Sequence, residues 1–293
     1  MPFLTILTPT YNRKDRLPVL FHSLQNQTNK DFEWLVVDDG STDDTQEYIE
    51  GLIEIAMFPV QYIKKPNGGK HTALNVGVRM IDTTLTIIVD SDDTLLANAV
   101  ELINVYYQKY SNRKEIGAFA FLKCDKSGKQ MVALDQEEYV DSYIQCRIRE
   151  NRPGDMAEVF YTSVLKDFPF AEFEGERFLS EDVVWIQVGL KYKFVFISQA
   201  IYQCEYLTDG LTANDKPMKF ASPFGSMLRG KILMRKECGI KTRIKGAIIY
   251  NCYRQNVNKR LPEIVMLDTA FDKILVGITN PLGEYFHKKW SNY

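Results

Sequence analysis

The 293-residue sequence predicts an α/β fold with a mostly parallel open sheet, flanked by helices on both faces. Short apolar segments alternate with segments whose apolar residues recur at helical spacing, which is typical of strand–helix–strand units. Two of the apolar segments end directly in acidic residues, Asp39 and the run 90–93. Apolar residues make up 45% of the chain and charged residues 25%, which excludes a disordered protein.

The first half of the chain supplies four predicted strands, at 3–8, 34–37, 60–63 and 85–89. Predicted helices follow them, with Asn12 as a candidate cap for the first and Ser41 or Thr42 for the second. Helices between strands make the strands parallel, and parallel strands end at one edge of the sheet. Ligands bind at that edge in open α/β sheets. We therefore expect Asp39 and the 90–93 run to meet there.

The second half of the chain is less regular. Residues 123–155 show no pattern that predicts an element. Further strands are predicted at 117–122, 157–161, 194–197 and 200–206, with a helix at 183–192. After Thr212 the pattern becomes helical, and Ile240, Ile244, Ile248 and Cys252 recur every four residues. The sequence thus predicts a first domain at 1–212 and a helical C-terminal extension at 213–293.

The charge is unevenly distributed between these two parts. Residues 213–293 carry 15 Lys plus Arg against 6 Asp plus Glu, a net charge of +9, whereas the first 212 residues carry −11. The whole chain is at −2, which argues against a nucleic-acid partner. Basic amphipathic helices can rest on anionic membranes. They can equally pack on the acidic part of the chain, and both interpretations stay open.

The cysteines and the hydropathy of the sequence indicate the cellular compartment of the protein. The five cysteines are scattered and form no Cys-x-x-Cys pair, so a disulfide framework and a thiolate zinc site are not expected. No apolar run approaches the length of about 18 residues that a membrane span needs. The N-terminus has no basic leader. We expect a cytoplasmic protein, with peripheral membrane contact at most.

The segment LTIIVDSDDT is an apolar strand that ends in Asp-x-Asp. Carboxylates such as Asp90 and Asp92 are ligands for hard divalent cations, here Mg²⁺ or Mn²⁺. Such a cation neutralises a diphosphate leaving group. The alternative is an acidic loop in which Asp93 or Thr94 only caps the next helix.

Other polar residues also follow predicted strands. Asp39 can accept a hydrogen bond from a nucleobase, Tyr11 can stack on a flat base, and Arg13 and Lys70 can meet phosphates. Farther along, Asp182 follows Glu181 ahead of an apolar run. A carboxylate there can act as a general base or can merely cap a helix.

Taken together, the order and spacing of these segments resemble the family 2 glycosyltransferases, whose fold is called GT-A. The resemblance covers about residues 3–212 and rests on TPTYNR, VVDDGSTDDT, NGGKHTALNVG, VDSDDT and SED. It implies that Tyr11 and Asp39 hold the nucleotide base. It also implies that Asp92, with Asp90, binds the metal, and that Asp182 is the catalytic base.

The predicted nucleotide-sugar site comprises Pro9, Thr10, Tyr11, Arg13, Asp39, Asn67, Lys70, Asn75, Asp90 and Ser91. The family often has an arginine in the loop after the third strand, where this chain has Lys70-His71. The contacts to phosphate and base in that loop are therefore not fixed by the resemblance.

The resemblance implies an inverting, metal-dependent glycosyltransferase that moves a sugar from a UDP-sugar to an acceptor hydroxyl in surface glycan synthesis. The acceptor would be a glycan or a lipid-linked glycan. One alternative is a haloacid-dehalogenase-like phosphatase, whose Asp-x-Asp-x-Thr signature Asp90-Ser91-Asp92-Asp93-Thr94 fits. That signature normally follows the first strand of its domain, and here it follows the fourth. A second alternative is a nucleotide- or glycan-binding module without catalysis.

Overall fold

The computed structural model describes residues 2–152, 154–204 and 215–291. The chain forms two compact units. The first comprises Met1–Ser142, Arg152–Pro169 and Lys191–Glu205, and the second comprises Tyr143–Asn151, Phe170–Leu190 and Tyr206–Tyr293. The predicted boundary between residues 212 and 213 lies outside the described residues. The C-terminal helices share their unit with two segments of the predicted first domain.

The first unit is built on a nine-stranded sheet. Its strands are β1 (Leu4–Thr10), β2 (Phe32–Asp38), β3 (Val60–Lys64), β4 (Leu85–Ile88), β5 (Thr94–Leu95), β6 (Ile116–Cys124), β7 (Glu138–Asp141), β8 (Met156–Tyr161) and β9 (Lys193–Gln203). They lie in the order β3-β2-β1-β4-β8-β6-β9-β5, and β7 pairs with β9.

The four strands predicted in the first half form a parallel block, as expected. β1 pairs in parallel with β2 and β4, and β2 pairs in parallel with β3. Thr10 lies opposite Asp38, which in turn lies opposite Lys64, so these three strands end level with one another. The residues that follow them therefore emerge at one edge of the sheet.

The other half of the sheet is mixed rather than mostly parallel. β8 runs antiparallel to β4 and β6, and β5 and β7 run antiparallel to β9. The connection from β6 to β8 contains no α-helix, and strands joined without a crossover helix pair antiparallel. The strands predicted at 194–197 and 200–206 are one strand, β9. A register shift against β6 between Phe121 and Leu122 accommodates the residues between them.

Helices cover both faces of this sheet. They are α1 (Leu17–Gln25), α2 (Thr45–Ile55), α3 (Lys70–Met80), α4 (Ala99–Tyr110) and α5 (Thr162–Asp167). Buried residues of α1, α2 and α4 form one core with Ile6 and Trp34. Successive strand residues point to opposite faces, so Leu7 faces α3. There a Cβ on Gly77 would lie 2.4 Å from the Leu7 Cδ1 atom, so a larger residue would have to displace the Leu7 side chain.

The predicted helix caps are wrong. α1 begins at Leu17 and α2 begins at Thr45, too far along for Asn12, Ser41 or Thr42 to cap them. These side chains instead join two loops. The Asn12 N–H donates to the Ser41 hydroxyl over 2.8 Å, and the Thr42 N–H donates to the Asn12 side-chain oxygen over 2.8 Å. The polar residues that the sequence marks as helix caps instead form hydrogen bonds between the loops that follow β1 and β2.

The second unit is helical. It contains a π-helix (Ile144–Arg149), α6 (Asp182–Lys191), α7 (Asp215–Ala221), α8 (Pro223–Leu233), α9 (Ile240–Arg254) and α10 (Ala270–Trp290). Helices α8 and α9 meet at Gly230 and Gly246, where an added Cβ would lie within 2.8 Å of the other helix. The helical character predicted after Thr212 is confirmed for the described residues. None of the described helices has the length and apolar character needed to cross a membrane.

Candidate active site

The loops that follow β1, β2 and β3 are joined by backbone hydrogen bonds. The Asp39 N–H donates to the Thr10 carbonyl over 2.8 Å, and the Lys65 N–H donates to the Asp38 carbonyl over 2.9 Å. The side chain of Asn67 donates to the Asp39 carbonyl over 2.8 Å. The predicted convergence of the strand ends is therefore present, and it brings Thr10, Asp39 and Asn67 together.

The two adjacent aspartates after β2 have different environments. Asp38 is fully buried, and its carboxylate accepts hydrogen bonds from the Ser41 N–H (2.7 Å) and the Tyr62 hydroxyl (2.6 Å). Both of these contacts hold the loop itself. Asp39 is the first residue beyond the strand, and its carboxylate faces the loop after β3. Asp39 rather than Asp38 stays the predicted site residue.

The carboxylate of Asp39 has three donors around it. Its Oδ1 accepts from the Lys65 ammonium (2.6 Å) and the Gly68 N–H (2.9 Å), and its Oδ2 accepts from the Gly69 N–H (2.7 Å). Gly69 has φ of +95°, a conformation that glycine adopts readily and other residues do not. A carboxylate offers about four acceptor positions. One acceptor position on Oδ2 therefore has no donor among the residues described.

Asp90 follows β4 and pairs with a cation from α3. The Lys70 ammonium lies 2.6 Å from the Asp90 carboxylate. Burial by itself would raise the pKa of Asp90, but the charges of Lys70, Lys123 and Arg13 outweigh it and hold the pKa below its usual range. Asp90 is therefore ionised at neutral pH. The site combines a carboxylate with cations suited to phosphate oxygens.

A tyrosine of β9 holds the Asp-x-Asp loop through two hydrogen bonds. The Tyr202 hydroxyl accepts from the Asp90 N–H (3.1 Å) and donates to the Asp93 carboxylate (2.7 Å). The Lys123 ammonium lies 4.0 Å from the centre of the Tyr202 ring. Because α4 begins at Ala99, Asp93 does not cap it. Asp93 fixes the loop, and Asp92, the residue before it, is more exposed than Asp93.

Asp93 gives the free energy of unfolding a specific pH dependence. Burial, together with the charge of Asp90, raises its pKa to about 6, and the Tyr202 hydrogen bond offsets this only in part. A raised carboxyl pKa favours the protonated folded state, so that stabilisation is present below about pH 4 and is lost as the pH rises through about 6. Asp93→Asn does not titrate. It should gain stability relative to wild type over that range, by up to roughly 3 kcal/mol.

Urea unfolding at a series of pH values measures this difference. Asp82→Asn is the control, because the Asp82 side chain is 92% exposed and should give no comparable trend. A stability difference between Asp93→Asn and wild type that stays constant from about pH 4 to about pH 7 would contradict the assignment.

The remaining predicted residues differ in exposure. Tyr11 is 45% exposed and open to stacking, whereas Pro9 is buried within β1 and Asn75 is buried on α3. Ser91 is buried within the Asp-x-Asp loop. Two further buried atoms, the Thr10 hydroxyl and the Asn67 side-chain oxygen, have no hydrogen-bond partner among the described residues. Buried polar atoms of this kind are expected to meet a ligand or water.

Asp182 belongs to the second unit, as the first residue of α6. The Arg229 Nε atom donates to both carboxylate oxygens of Asp182, at 2.9 and 2.8 Å. The Nη2 atom of Arg229 lies 2.7 Å from the Asp182 Oδ2 atom. Burial would raise the pKa of Asp182. Arg229, a hydrogen bond from Ser180 and the charge of Lys219 outweigh burial and lower it. Asp182 is therefore ionised, as a general base must be.

Arg229 lies on α8, whose start is fixed by another carboxylate. Glu176 is buried and accepts hydrogen bonds from the Phe224 N–H (2.7 Å) and the Gly225 N–H (2.9 Å) in the first turn of that helix. These amides have no partner within the helix, so Glu176 satisfies them. Glu176 thus holds the first turn of α8, and Arg229 of the same helix holds Asp182.

The sequence profile described as "Glycosyl transferase family 2" matches residues 5–144. These residues contain β1–β4, Asp39 and the Asp-x-Asp loop. The match agrees with the resemblance that the motifs carry. The chain is 29% identical over 228 residues to a GalNAc(5)-diNAcBac-PP-undecaprenol beta-1,3-glucosyltransferase of Campylobacter jejuni, covering 73% of this chain and 70% of that one. It spans only 28–59% of the length of four further curated glycosyltransferases that it matches.

Two solved structures that hold nucleotide-sugars share the fold. Residues 1–349 of S. aureus TarS, in complex with UDP-GlcNAc, align with a TM-score of 0.63 at 16% identity, over 99% of this chain and 92% of that one. The mannosyltransferase PcManGT from Pyrobaculum calidifontis, in complex with GDP-Man and Mn²⁺, aligns with a TM-score of 0.52 at 17% identity, over 97% and 73%. The GT-A fold predicted from the motifs is confirmed.

Three residues around the site were missed by sequence reasoning. They are Lys65 beside Asp39, Tyr202 beneath the Asp-x-Asp loop, and Arg229 on Asp182. Lys65 could have been found, because it lies just beyond the strand predicted at 60–63. It supplies a cation in the loop where the family often has arginine. Tyr202 and Arg229 are 109 and 47 residues from their partners, and no local pattern marks them.

Proposed function

We propose that this family 2 glycosyltransferase transfers a sugar from a nucleotide-diphosphate donor, a UDP-sugar, to an acceptor hydroxyl. The observation that carries the proposal is the cluster at the strand ends. Asp39, Lys70 and Asp90 lie there beside the unsatisfied Thr10 and Asn67 oxygens. A UDP donor is supported by the fold shared with TarS, whose structure holds UDP-GlcNAc.

The donor would occupy this strand-end cluster. Asp39 would accept an N–H of the base through its remaining acceptor position, and exposed Tyr11 would stack on the base. Lys70 and Arg13 would contact the diphosphate. Ser91 and Asp90 would lie at the ribose end of the loop. Pro9 and Asn75 would shape the pocket from β1 and α3, since both are buried.

A divalent cation, Mn²⁺ or Mg²⁺, fits the donor set of the Asp-x-Asp loop. Carboxylate oxygens are ligands that these ions prefer. The described residues include no group of three or more His, Cys, Asp or Glu side chains placed to hold a metal. Asp92, with Asp90, would therefore hold the ion together with diphosphate oxygens. When bound, the ion would neutralise charge that develops on the departing UDP.

Asp182 would act as the general base. Its carboxylate would take the proton from the acceptor hydroxyl while that oxygen bonds to the anomeric carbon. The bond from the anomeric carbon to the diphosphate would break, and UDP would leave with the electron pair. Attack from the face opposite UDP inverts the anomeric configuration. Arg229 would keep Asp182 ionised between cycles.

The acceptor is proposed to be a glycan or a lipid-linked glycan in surface glycan synthesis. Support comes from the Campylobacter jejuni relative, whose name specifies an undecaprenol-linked glycan. No nucleic-acid partner is proposed, since the whole chain is nearly neutral. Peripheral membrane contact through the basic C-terminal helices stays a prediction at this stage.

A thermal-shift screen of nucleotide-sugars, with and without Mn²⁺, tests the donor proposal. A ligand at 100 times its dissociation constant stabilises the folded protein by about 2.7 kcal/mol. We expect a UDP-sugar to raise the melting temperature, and Mn²⁺ to increase the shift. Stabilisation by no nucleotide-sugar, together with phosphate release from p-nitrophenyl phosphate, would favour the phosphatase alternative.

A further inference from the structure

Helix α10 carries a line of exposed apolar side chains. Phe271, Ile274, Ile278, Leu282 and Tyr285 are 45%, 61%, 73%, 49% and 57% exposed. At 3.6 residues per turn, these five positions fall within roughly 80° of the helix circumference. They form one continuous stripe along most of the 21-residue helix. We refer to these five residues as the α10 stripe.

The α10 stripe is not the face that packs in the second unit. On the adjoining side of the helix, Leu275, Thr279 and Gly283 are buried. There Asn251 of α9 donates to the Val276 carbonyl over 2.7 Å and to the Thr279 hydroxyl over 3.1 Å. The helix is thus anchored by one face while the stripe faces outward. The four-residue repeat predicted on α9 differs, because Cys252 is fully buried and only Ile240 and Ile244 are exposed.

Three basic side chains adjoin the stripe. Lys289 continues its line beyond Tyr285, Lys288 lies beside it, and the Arg243 guanidinium lies 3.9 Å from the centre of the Phe271 ring. Five lysines of α9 and α10 are exposed, and none has a carboxylate within 4 Å among the residues described: Lys241, Lys245, Lys273, Lys288 and Lys289. Residues 213–293 carry a net charge of +9.

We propose that the α10 stripe is a docking surface for an anionic lipid membrane. The apolar stripe would enter the boundary between headgroups and acyl chains, and the lysines would contact anionic headgroups. Long lysine side chains can keep their charge in the headgroup layer while their stems lie on apolar surface. The helix would lie in the membrane plane, which requires no membrane-spanning segment.

Charge and helix geometry favour a lipid surface over a second copy of the chain. Two stripes placed face to face would bring together two regions of net charge +9, which repel each other. A coiled-coil seam would continue from Ile274 and Ile278 to position 281, which is a proline inside the helix. The stripe passes to Leu282 instead. An anionic surface satisfies both the apolar and the basic residues.

Co-sedimentation of the full chain with vesicles tests the proposal. We expect binding to phosphatidylcholine vesicles that contain about a third phosphatidylglycerol, and far weaker binding to pure phosphatidylcholine or at high salt. Ile274→Ser with Ile278→Ser should lower the partition coefficient by roughly tenfold or more, since two large apolar side chains no longer insert. Lys288→Gln with Lys289→Gln should lower it by roughly fivefold or more per charge at low salt.

The matched control is Ile55→Ser with Met57→Ser, which removes similar exposed apolar surface (63% and 64%) from the first unit. It should leave vesicle binding unchanged. All three double variants should retain hydrolysis of a soluble nucleotide-sugar, so failure of this proposal is separable from failure of the donor proposal. Equal vesicle binding by wild type and the stripe variant would overturn it. The proposal would also be overturned if the wild-type chain bound no vesicles but sedimented as a dimer, and the stripe variant sedimented as a monomer.

Discussion

Replacing Asp182 by asparagine is expected to lower sugar transfer about 10²–10⁴-fold while leaving donor affinity nearly unchanged. Asparagine keeps the shape of the side chain but cannot accept a proton at neutral pH. The base acts on the acceptor hydroxyl and need not touch the donor, so binding of a UDP-sugar should survive. Turnover and donor affinity are measured separately, by UDP release and by calorimetric titration.

The control is Asp272→Asn. Asp272 pairs with Arg243 at 3.3 Å in the same unit, with similar burial, and we propose no catalytic role for it. Both variants lose an aspartate–arginine pair, so both should lose some free energy of unfolding. Only Asp182→Asn should lose transfer. If Asp182→Asn retained turnover within a few-fold of wild type, the base assignment would be wrong. Loss of donor binding would place Asp182 in the nucleotide site, and Glu181 would become the candidate base.

Asp92→Ala is expected to abolish the divalent-dependent part of UDP-sugar binding while the protein stays folded. Asp92 is the proposed direct ligand of the cation. It is not one of the groups that the Tyr202 hydroxyl bonds in this loop, which are the Asp90 amide and Asp93. Removing its carboxylate should therefore leave the loop in place. Titration of a UDP-sugar with and without Mn²⁺ measures the effect.

Asp43→Ala is the matched acidic control near the same sheet edge. Its carboxylate accepts from the Thr45 hydroxyl over 2.6 Å and from the Lys14 N–H over 3.3 Å, just ahead of α2. Its loss should cost about 1 kcal/mol of unfolding free energy or less, and should leave Mn²⁺-dependent binding intact. The metal assignment fails if wild type and Asp92→Ala show the same Mn²⁺-dependent affinity.

The parallel half of the fold could be predicted because it depends on local pattern. Apolar runs separated by helices require parallel strands, and parallel strands bring Asp39 and Asp90 to one edge without any knowledge of side-chain contacts. The same logic failed for the helix caps, since Asn12 and Ser41 found each other across two strand ends rather than serving their own helices. β7 and the π-helix lie in the segment whose polar, mixed sequence gave no periodicity.

The supporting contacts could not be predicted because they join distant parts of the chain. Tyr202 reaches Asp93 only once β9 has paired in the sheet, and Arg229 reaches Asp182 only once α8 packs in the second unit. Arg229 also changes how the C-terminal region can be tested. A deletion after Thr212 would remove the partner of Asp182 along with the basic helices, so point substitutions on α10 separate membrane binding from catalysis.

Proton NMR of a panel of nucleotide-sugars incubated with the protein and Mn²⁺ tests the proposed transfer reaction most directly. We expect that a UDP-sugar is consumed, that UDP is released, and that the sugar first appears with the opposite anomeric configuration, either in the acceptor product or in the free sugar before it mutarotates. Consumption of no nucleotide-sugar under these conditions would contradict it. A product that retains the donor's configuration would contradict the inverting mechanism and the role of Asp182.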